Sequence, residues 1–440
     1  MPLTRTPRRT ALAVTLAAVP LAAGALAAPA SATPDRPGSN RSPFTERATL
    51  AVSGEVAEIL SVTPDGRTAF YTDSATGRIG AVDLSDPSAP RETGTVEVGG
   101  EPTSVAVTRD GRFALVAVDT SDGEFTAPSG NLTVVDTRTL RVVRTIDLGG
   151  QPDSVAISPD GRRAAVAIEN QRDEDVVVEG VEGGLPQAPA GFLSVVQLQG
   201  APERWSASRV DLTGLPGAQS PEDPEPEFVD VNSAGIAAVT LQENNAVALV
   251  DLRSQRVVGS FSAGTVQRAD ADVEDDDVVA FDDELTAPRE PDAVQWTPDG
   301  NLVTADEGDL AADPAGGRGW TVFSPGGEVL WASGSSAERA LAEAGRYPDG
   351  RSDDRGAEFE GAEVATLSGT TYAFLASERG GAVLVYDLDR ERSPRLLQVL
   401  GTGEAPEGLL AVPNRGLLLA ADEEDGTISV FGLERGRDRR

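Results

Sequence analysis

The sequence predicts an all-β chain, a seven-bladed β-propeller of four-stranded antiparallel blades, on three observations. One motif recurs seven times along 440 residues, each copy has the run lengths of a strand meander, and the last copy lacks one strand that an N-terminal segment can supply.

The copies read "SVTPDGRTAFYTD", "SVAVTRDGRFALVAVD", "SVAISPDGRRAAVAIEN", "FVDVNSAGIAAVTLQEN", "AVQWTPDGNLVTADE", "VATLSGTTYAFLASE" and "LLAVPNRGLLLAADE". Each joins an apolar run, a turn ending in Gly, and a second apolar run closing on or near an acid. Short runs rich in Val, Ala and Leu suit buried strands, and Asp-Gly suits a hairpin because Gly tolerates positive φ. A third run follows in every copy, from "RIGAVDL" to "TISVFGL", and a fourth in six, such as "RVVRTIDL" and "RLLQVL". The turn glycines are Gly66, Gly111, Gly161, Gly235, Gly300, Gly369 and Gly416, and their closest spacings, 45 and 47, match propeller blades. The seventh copy ends near Leu433 with three strands. "RATLAVSG" (47–54) is expected to add the fourth, closing the ring and removing an exposed edge.

Three insertions interrupt the repeat. Residues 171–190 are Gly/Pro-rich and acidic, 265–289 contain "DADVEDDD", and 335–356 open on a helix with Ser335 and Glu338 as a capping box and Gly345 as its stop. Long loops on a rigid ring are where binding commonly sits.

The first 32 residues read as an export signal: Arg5, Arg8 and Arg9 precede an apolar run from Ala11 to Ala28 and the cleavage site Ala30-Ser31-Ala32. The general secretory route is favoured, and the Arg8-Arg9 pair keeps twin-arginine export open. Residues 33–45 are then a flexible linker, 46–434 the propeller and 435–440 a tail. No second apolar run approaches the ~20 residues of a spanning helix. The mature chain is expected to be secreted, outside the cell or in the cell-wall space, as a monomer.

Cys, His and Lys are absent, so all 37 basic residues are Arg. Disulfides, thiolate nucleophiles, His-dependent triads, His or Cys zinc sites and lysine Schiff bases are thereby excluded. Chemistry is left to carboxylates, hydroxyls, arginine, or a hard cation held by oxygen. The net charge of −34, or −37 without the three signal arginines, disfavours nucleic acid and anionic membrane and attracts cations.

Anchoring the copies on their turn glycines places Glu58, Thr103, Asp153, Glu227, Asp292, Glu360 and Glu407 at the start of the innermost strand. The acid closing the second strand reads Asp73, Asp119, Glu169, Glu243, Glu307, Glu378 and Glu423, with a slip of one or two residues. Because the second strand returns to the face the first one leaves, both sets are expected at one mouth of the ring, with the Asp-Gly turns on the other. Acids are 71 of 440 residues, so fourteen random positions would hold two or three, against thirteen found. The same acids also read as solvated loop carboxylates, partly paired with Arg172, Arg289, Arg355 and Arg379. Two carboxylates ~6 Å apart at an effective dielectric of ~20 repel by roughly 2.8 kcal/mol, so such a ring recruits cations, holds arginines or stays partly protonated. Oxygen-only ligands select Ca²⁺ or Mg²⁺, and a Ca²⁺ site at this mouth is expected. "DADVEDDDVVAFDDE" (270–284) lacks the Gly and terminal Glu spacing of an EF-hand and reads as a solvated loop.

"TLQENNAVALVDL" (240–252), "EPDAVQWTPDGNLVTADEGD" (290–309), "GRSDDRGAEFEGAEV" (350–364), "TYAFLASERGGAVLVYDL" (371–388) and "APEGLL" (405–410) resemble secreted seven-bladed propellers of the choice-of-anchor I type, within the wider YVTN/lactonase-like repeat propellers. Some members carry the label alkaline phosphatase or phytase-like esterase, and others are surface proteins with no stated activity.

Two function classes follow. No nucleophile and base can be paired, which favours an extracellular binding or scaffold propeller without catalysis, taking a cation, a cationic or small-molecule ligand, or a protein at the acidic face. No organic cofactor is indicated. The alternative the resemblance implies is a metal-dependent phosphoesterase, with Arg379 of "SERGG" on the phosphoryl group, or a lactonase on the same face.

Overall fold

The computed structural model describes residues 43–308 and 316–434. The export signal, most of the linker, Asp309 and the tail lie outside the described residues. Seven four-stranded antiparallel sheets form the ring. Their innermost strands are Leu60–Val62, Glu101–Val107, Pro152–Ile157, Pro226–Val231, Pro291–Trp296, Ala362–Leu367 and Pro406–Val412.

The second and third strands of each blade are buried along most of their length and largely apolar because neighbouring blades cover both faces. Leu115, Val116, Ala117 and Val118 of blade 2 are all fully buried. The core therefore lies between blades: Leu115, Leu132 and Val134 of blade 2 meet Val166, Phe192 and Trp205 of blade 3. Between blades 5 and 6, Trp320 packs against Trp331 and Tyr386 at ring-centroid distances of 4.5 and 4.7 Å. The outermost strands are largely exposed, as in Arg91–Glu97.

The turn motif is built by its hydroxyl and its Asp. In blade 1, Asp65 Oδ1 accepts from Thr63 Oγ1 (2.7 Å) and from the Arg67 N–H (3.1 Å), while Gly66 sits at φ +72°. Thr108–Asp110 and Ser158–Asp160 repeat this in blades 2 and 3. Side chains of the innermost strands also tie one blade to the next. Ser61, Ser104 and Ser154 Oγ accept from the backbone N–H of Val107, Val155 and Val229 at 3.0, 3.2 and 3.4 Å. Asp230 and Glu363 do the same for Trp296 (2.8 Å) and Ala411 (3.2 Å). N–H groups left without a ladder partner at the inner edge are thereby satisfied.

An N-terminal strand completes blade 7, but three residues earlier than expected: Phe44–Ala51 pairs with Thr427–Leu433. Phe44, assigned to the linker by its position, is fully buried, with its ring edge-on to Tyr372 and Phe374 at 5.4 Å. Arg415 fastens the junction to blade 1, donating to the carbonyls of Gly66 (2.9 Å) and Leu84 (2.8 Å).

The insertions carry more order than loops. Residues 265–289 form a hairpin, Thr265–Ala271 with Asp283–Pro288, so the acidic run is its tip and flanks, and Asp272 is buried. The helix Ser336–Glu343 forms and stops at Gly345, φ +69°. Its capping box does not form. Ser335 Oγ donates instead to Asp270 (2.8 Å), and Glu338 turns inward, fully buried beside Arg268 at 3.4 Å. Tertiary pairing with the hairpin outcompetes the local cap. Among the described residues no helix is long and apolar enough to cross a membrane.

Candidate functional site

All seven innermost strands line one cavity of ≈ 690 Å³ on the ring axis. Each strand starts at its mouth, and all seven predicted openers, Glu58, Thr103, Asp153, Glu227, Asp292, Glu360 and Glu407, are in its wall. The proline before most of them needs no ladder donor, which fits a strand's first residue.

The second set divides in two. Glu307, Glu378 and Glu423 line the cavity, and Glu169 stands against Asp153 and Glu227. Their places are set by backbone: the N–H groups of Glu169, Glu378 and Glu423 donate to the carbonyls of Gln151 (3.0 Å), Glu358 (2.9 Å) and Ala405 (2.8 Å). Asp73 and Asp119 are not in the wall. Asp73 is one residue earlier, whereas Asp119 holds the same position as Glu169; each is the last of its strand and is used locally: Asp73 holds Arg78 (3.1 Å), and Asp119 accepts from the Ser121 N–H (2.7 Å). Glu243 is one residue later than the cavity position, which Gln242 occupies, and pairs with Arg172 at 2.7 Å. The permitted slip had merged three structural positions.

Sequence overlay missed a further column, two residues before each opener: Val56, Glu101, Gln151, Glu225, Glu290, Glu358 and Ala405. Glu101 lines the cavity beside the neutral Thr103. Glu225 and Glu358 are buried next to cavity acids. The run "EPEFV" against "EPDAV" and "EPTSV" held that signal.

Twelve acids and one arginine, Arg355, line the cavity among the described residues. Burial, and then their mutual repulsion, pushes Glu169, Glu227, Asp292, Glu360 and Glu407 well above the usual carboxylate range. Burial first and the charge of Glu243 second raise Asp153 to about 7, and burial chiefly raises Glu58 to about 7. Glu307 reaches about 7 through burial, against the pull of Arg355. Glu358 is the exception: burial pushes it up, but Arg355, Arg351 and Arg379 together hold it below the ordinary value.

Two carboxylate triplets bring one oxygen from each member within 4.8 Å of the others: Asp153, Glu169 and Glu227 in blades 3 and 4, and Glu307, Glu358 and Glu360 in blades 5 and 6. Such oxygen clusters suit a hard divalent cation. Glu225 supplies a further buried oxygen, Oε1, that accepts no hydrogen bond. Arg379, the candidate phosphoryl ligand, is at the rim and is held by Glu378 (2.9 Å), Glu424 (3.0 Å) and Glu358 (3.2 Å).

Comparison with known structures agrees with the fold. The chain is similar to hydrazine synthase of Kuenenia stuttgartiensis, at 17% identity and TM-score 0.55, over 87% of this chain and 96% of that one. It is also similar to the Cps50 (Swd1) β-propeller domain of Myceliophteria thermophila, at 12% identity and TM-score 0.55, over 89% of this chain and 100% of that one. At these identities the likeness concerns the fold alone. No curated protein sequence matches. The model of the choice-of-anchor I domain matches residues 58–313 and 311–391, from the opener of blade 1 into blade 6. With that match spanning most of the chain, the protein belongs to the choice-of-anchor I family, a membership that fits a secreted or cell-surface protein.

Proposed function

We propose that this protein is an extracellular binding or scaffold propeller whose acidic axial cavity holds a divalent cation, Ca²⁺ by the chemistry of its donors. The supporting observation is the pair of carboxylate triplets opening on one cavity whose wall carries twelve acids against a single arginine. Carboxylate oxygens alone favour Ca²⁺ or Mg²⁺ over softer metals, and the larger ion accepts irregular oxygen sets more readily. Calorimetric titration with CaCl₂ tests the reading, with Asp153→Asn and Glu227→Gln beside the parent. Saturable binding, weakened in both variants, is expected; no heat above background in the parent overturns it.

Metal-assisted hydrolysis of a phosphoric ester on the same face ranks second. In its favour, Arg355 is a guanidinium on the cavity wall, close to where a metal-bound phosphoryl group would lie. Against it, the carboxylates around Arg355 and Arg379 already neutralise both. Ca²⁺-dependent phosphate release from a phosphomonoester panel, lost in Glu307→Gln, would reverse the ranking.

A further inference from the structure

The two triplets differ in one respect that decides how many ions the cavity takes. Arg355 bridges the second triplet, bonding Glu307 through Nη1 and Glu358 through Nη2 at 3.2 Å. Arg351 (2.6 Å) and Arg379 (3.2 Å) add two more guanidinium contacts to Glu358. At the first triplet, no ion pair joins Asp153, Glu169 or Glu227 to an arginine among the described residues; Arg172 acts on Glu169 through its charge at a distance, and its ion pairs include Glu225 (2.9 Å) and Glu243 (2.7 Å). The buried Oε1 of Glu225, 1% exposed as a residue, remains without a donor on that side.

We infer that the cavity takes one divalent cation, at Asp153, Glu169 and Glu227, and that Arg355 serves as a built-in cation that fills the second cluster, at Glu307, Glu358 and Glu360. This rests on the cation reading of the cavity. A guanidinium and a divalent ion compete for the same carboxylate oxygens, and a tethered group competes at a high effective concentration without losing translational freedom.

The tether is itself anchored. Arg355 belongs to the insertion that follows the helix Ser336–Glu343, and Arg318 clamps that insertion to the acidic hairpin. Its Nη1 donates to the Asp272 carbonyl (2.7 Å), and its Nη2 to the carbonyls of Ser352 (2.8 Å) and Asp354. Fully buried, Arg318 fixes the arm that carries Arg355 into the cavity. The side chain of Arg355 is 17% exposed, so an ion arriving through the mouth can reach the carboxylates it holds.

The test is stoichiometry, read by calorimetry with CaCl₂ and by Tb³⁺ luminescence on the full chain. The parent is expected to bind one ion, Arg355→Gln two, and Asp153→Asn none with the parent's affinity. In Arg355→Gln the second ion disappears again when Glu360→Gln is added. Two ions in the parent would overturn the inference while leaving the cation reading intact, as would a single ion in a folded Arg355→Gln. No binding to any form removes both. Should Arg355→Gln fail to fold, Arg355→Lys keeps the test: a shorter, point-charge cation cannot span Glu307 and Glu358, so a second, weaker ion should appear, and its absence would count against the inference.

Discussion

Replacing Asp153 with Asn should stabilise the cation-free protein and destabilise the Ca²⁺-loaded one. In the folded chain burial and the Glu243 charge raise the Asp153 carboxyl from 3.8 to about 7. The folded protein therefore binds this proton more tightly than the unfolded chain, so stability is greatest below pH ~4, falls as pH rises toward about 7, and is flat above that. A shift of roughly three units corresponds to ~4 kcal/mol at pH 8. Asp153 lines a cavity that admits water, and a buried Asn amide has its own hydrogen bonds to find, so ~1–2 kcal/mol of relief is the expected net. For a propeller of this size, with an unfolding entropy of roughly 0.8 kcal/mol/K, that is a rise of ~1–2.5 °C in Tm. In Ca²⁺ at a hundredfold excess over Kd the parent gains ~2.7 kcal/mol that the variant forgoes, and the order of the two Tm values reverses. Differential scanning calorimetry of both proteins, at pH 8 and pH 4 and with EDTA or CaCl₂, gives the comparison. A lower Tm for Asp153→Asn in EDTA at pH 8 would refute the reasoning, since it would mean that the carboxylate is already neutralised within the protein.

Other outcomes follow from the same structure. The Tm of the parent in EDTA should fall as pH rises from ~4.5 to ~7, the window in which raised acids such as Glu58 and Glu307 lose protons they hold only when folded, and CaCl₂ should flatten that fall. Phe44→Ala should cost ~3–5 kcal/mol in chemical denaturation, since a fully buried ring is lost from the seam of blades 6 and 7. Gly80→Ala should cost ~1–3 kcal/mol, because its Cβ would come within 2.1 Å of the Tyr71 ring, which is locked by a 2.6 Å hydrogen bond to Glu92. A cost under ~0.5 kcal/mol in that denaturation would mean that the ring gives way freely.

Blade count, ring closure and the first triplet's members were legible because each depends on periodicity. Asp153, Glu169 and Glu227 occupy repeat positions, and any alignment on the turn glycines brings them to one mouth. The distinction between Asp73 and Ser74, or between Asp306 and Glu307, was not. Successive residues of a strand end point to opposite sides, so a slip of one exchanges a cavity acid for one that bonds its own blade, as Asp306 does with Thr304 at 2.6 Å and Thr321 at 2.5 Å. Glu358 escaped notice for another reason. Its blade has Phe359 where most others have Pro, which hid the column it shares with Glu101 and Glu225. Ser335 and Glu338 carried a correct local signal that longer-range pairing with Asp270 and Arg268 overrode.

The strand that seals the ring imposes a timetable on synthesis. Phe44–Ala51 emerges among the first parts of the propeller, and its partner Thr427–Leu433 among the last. At ~5–20 residues per second, the ~380 residues between them take roughly 20–80 s to make. Until then six blades can stack in order while the seventh lacks the strand that pairs with Phe44–Ala51, leaving Phe44 uncovered and an unpaired edge open to other chains. The nascent molecule is thus an open arc before it is a ring, and its exposure to mispairing is set by the length of the chain rather than by the strength of any blade.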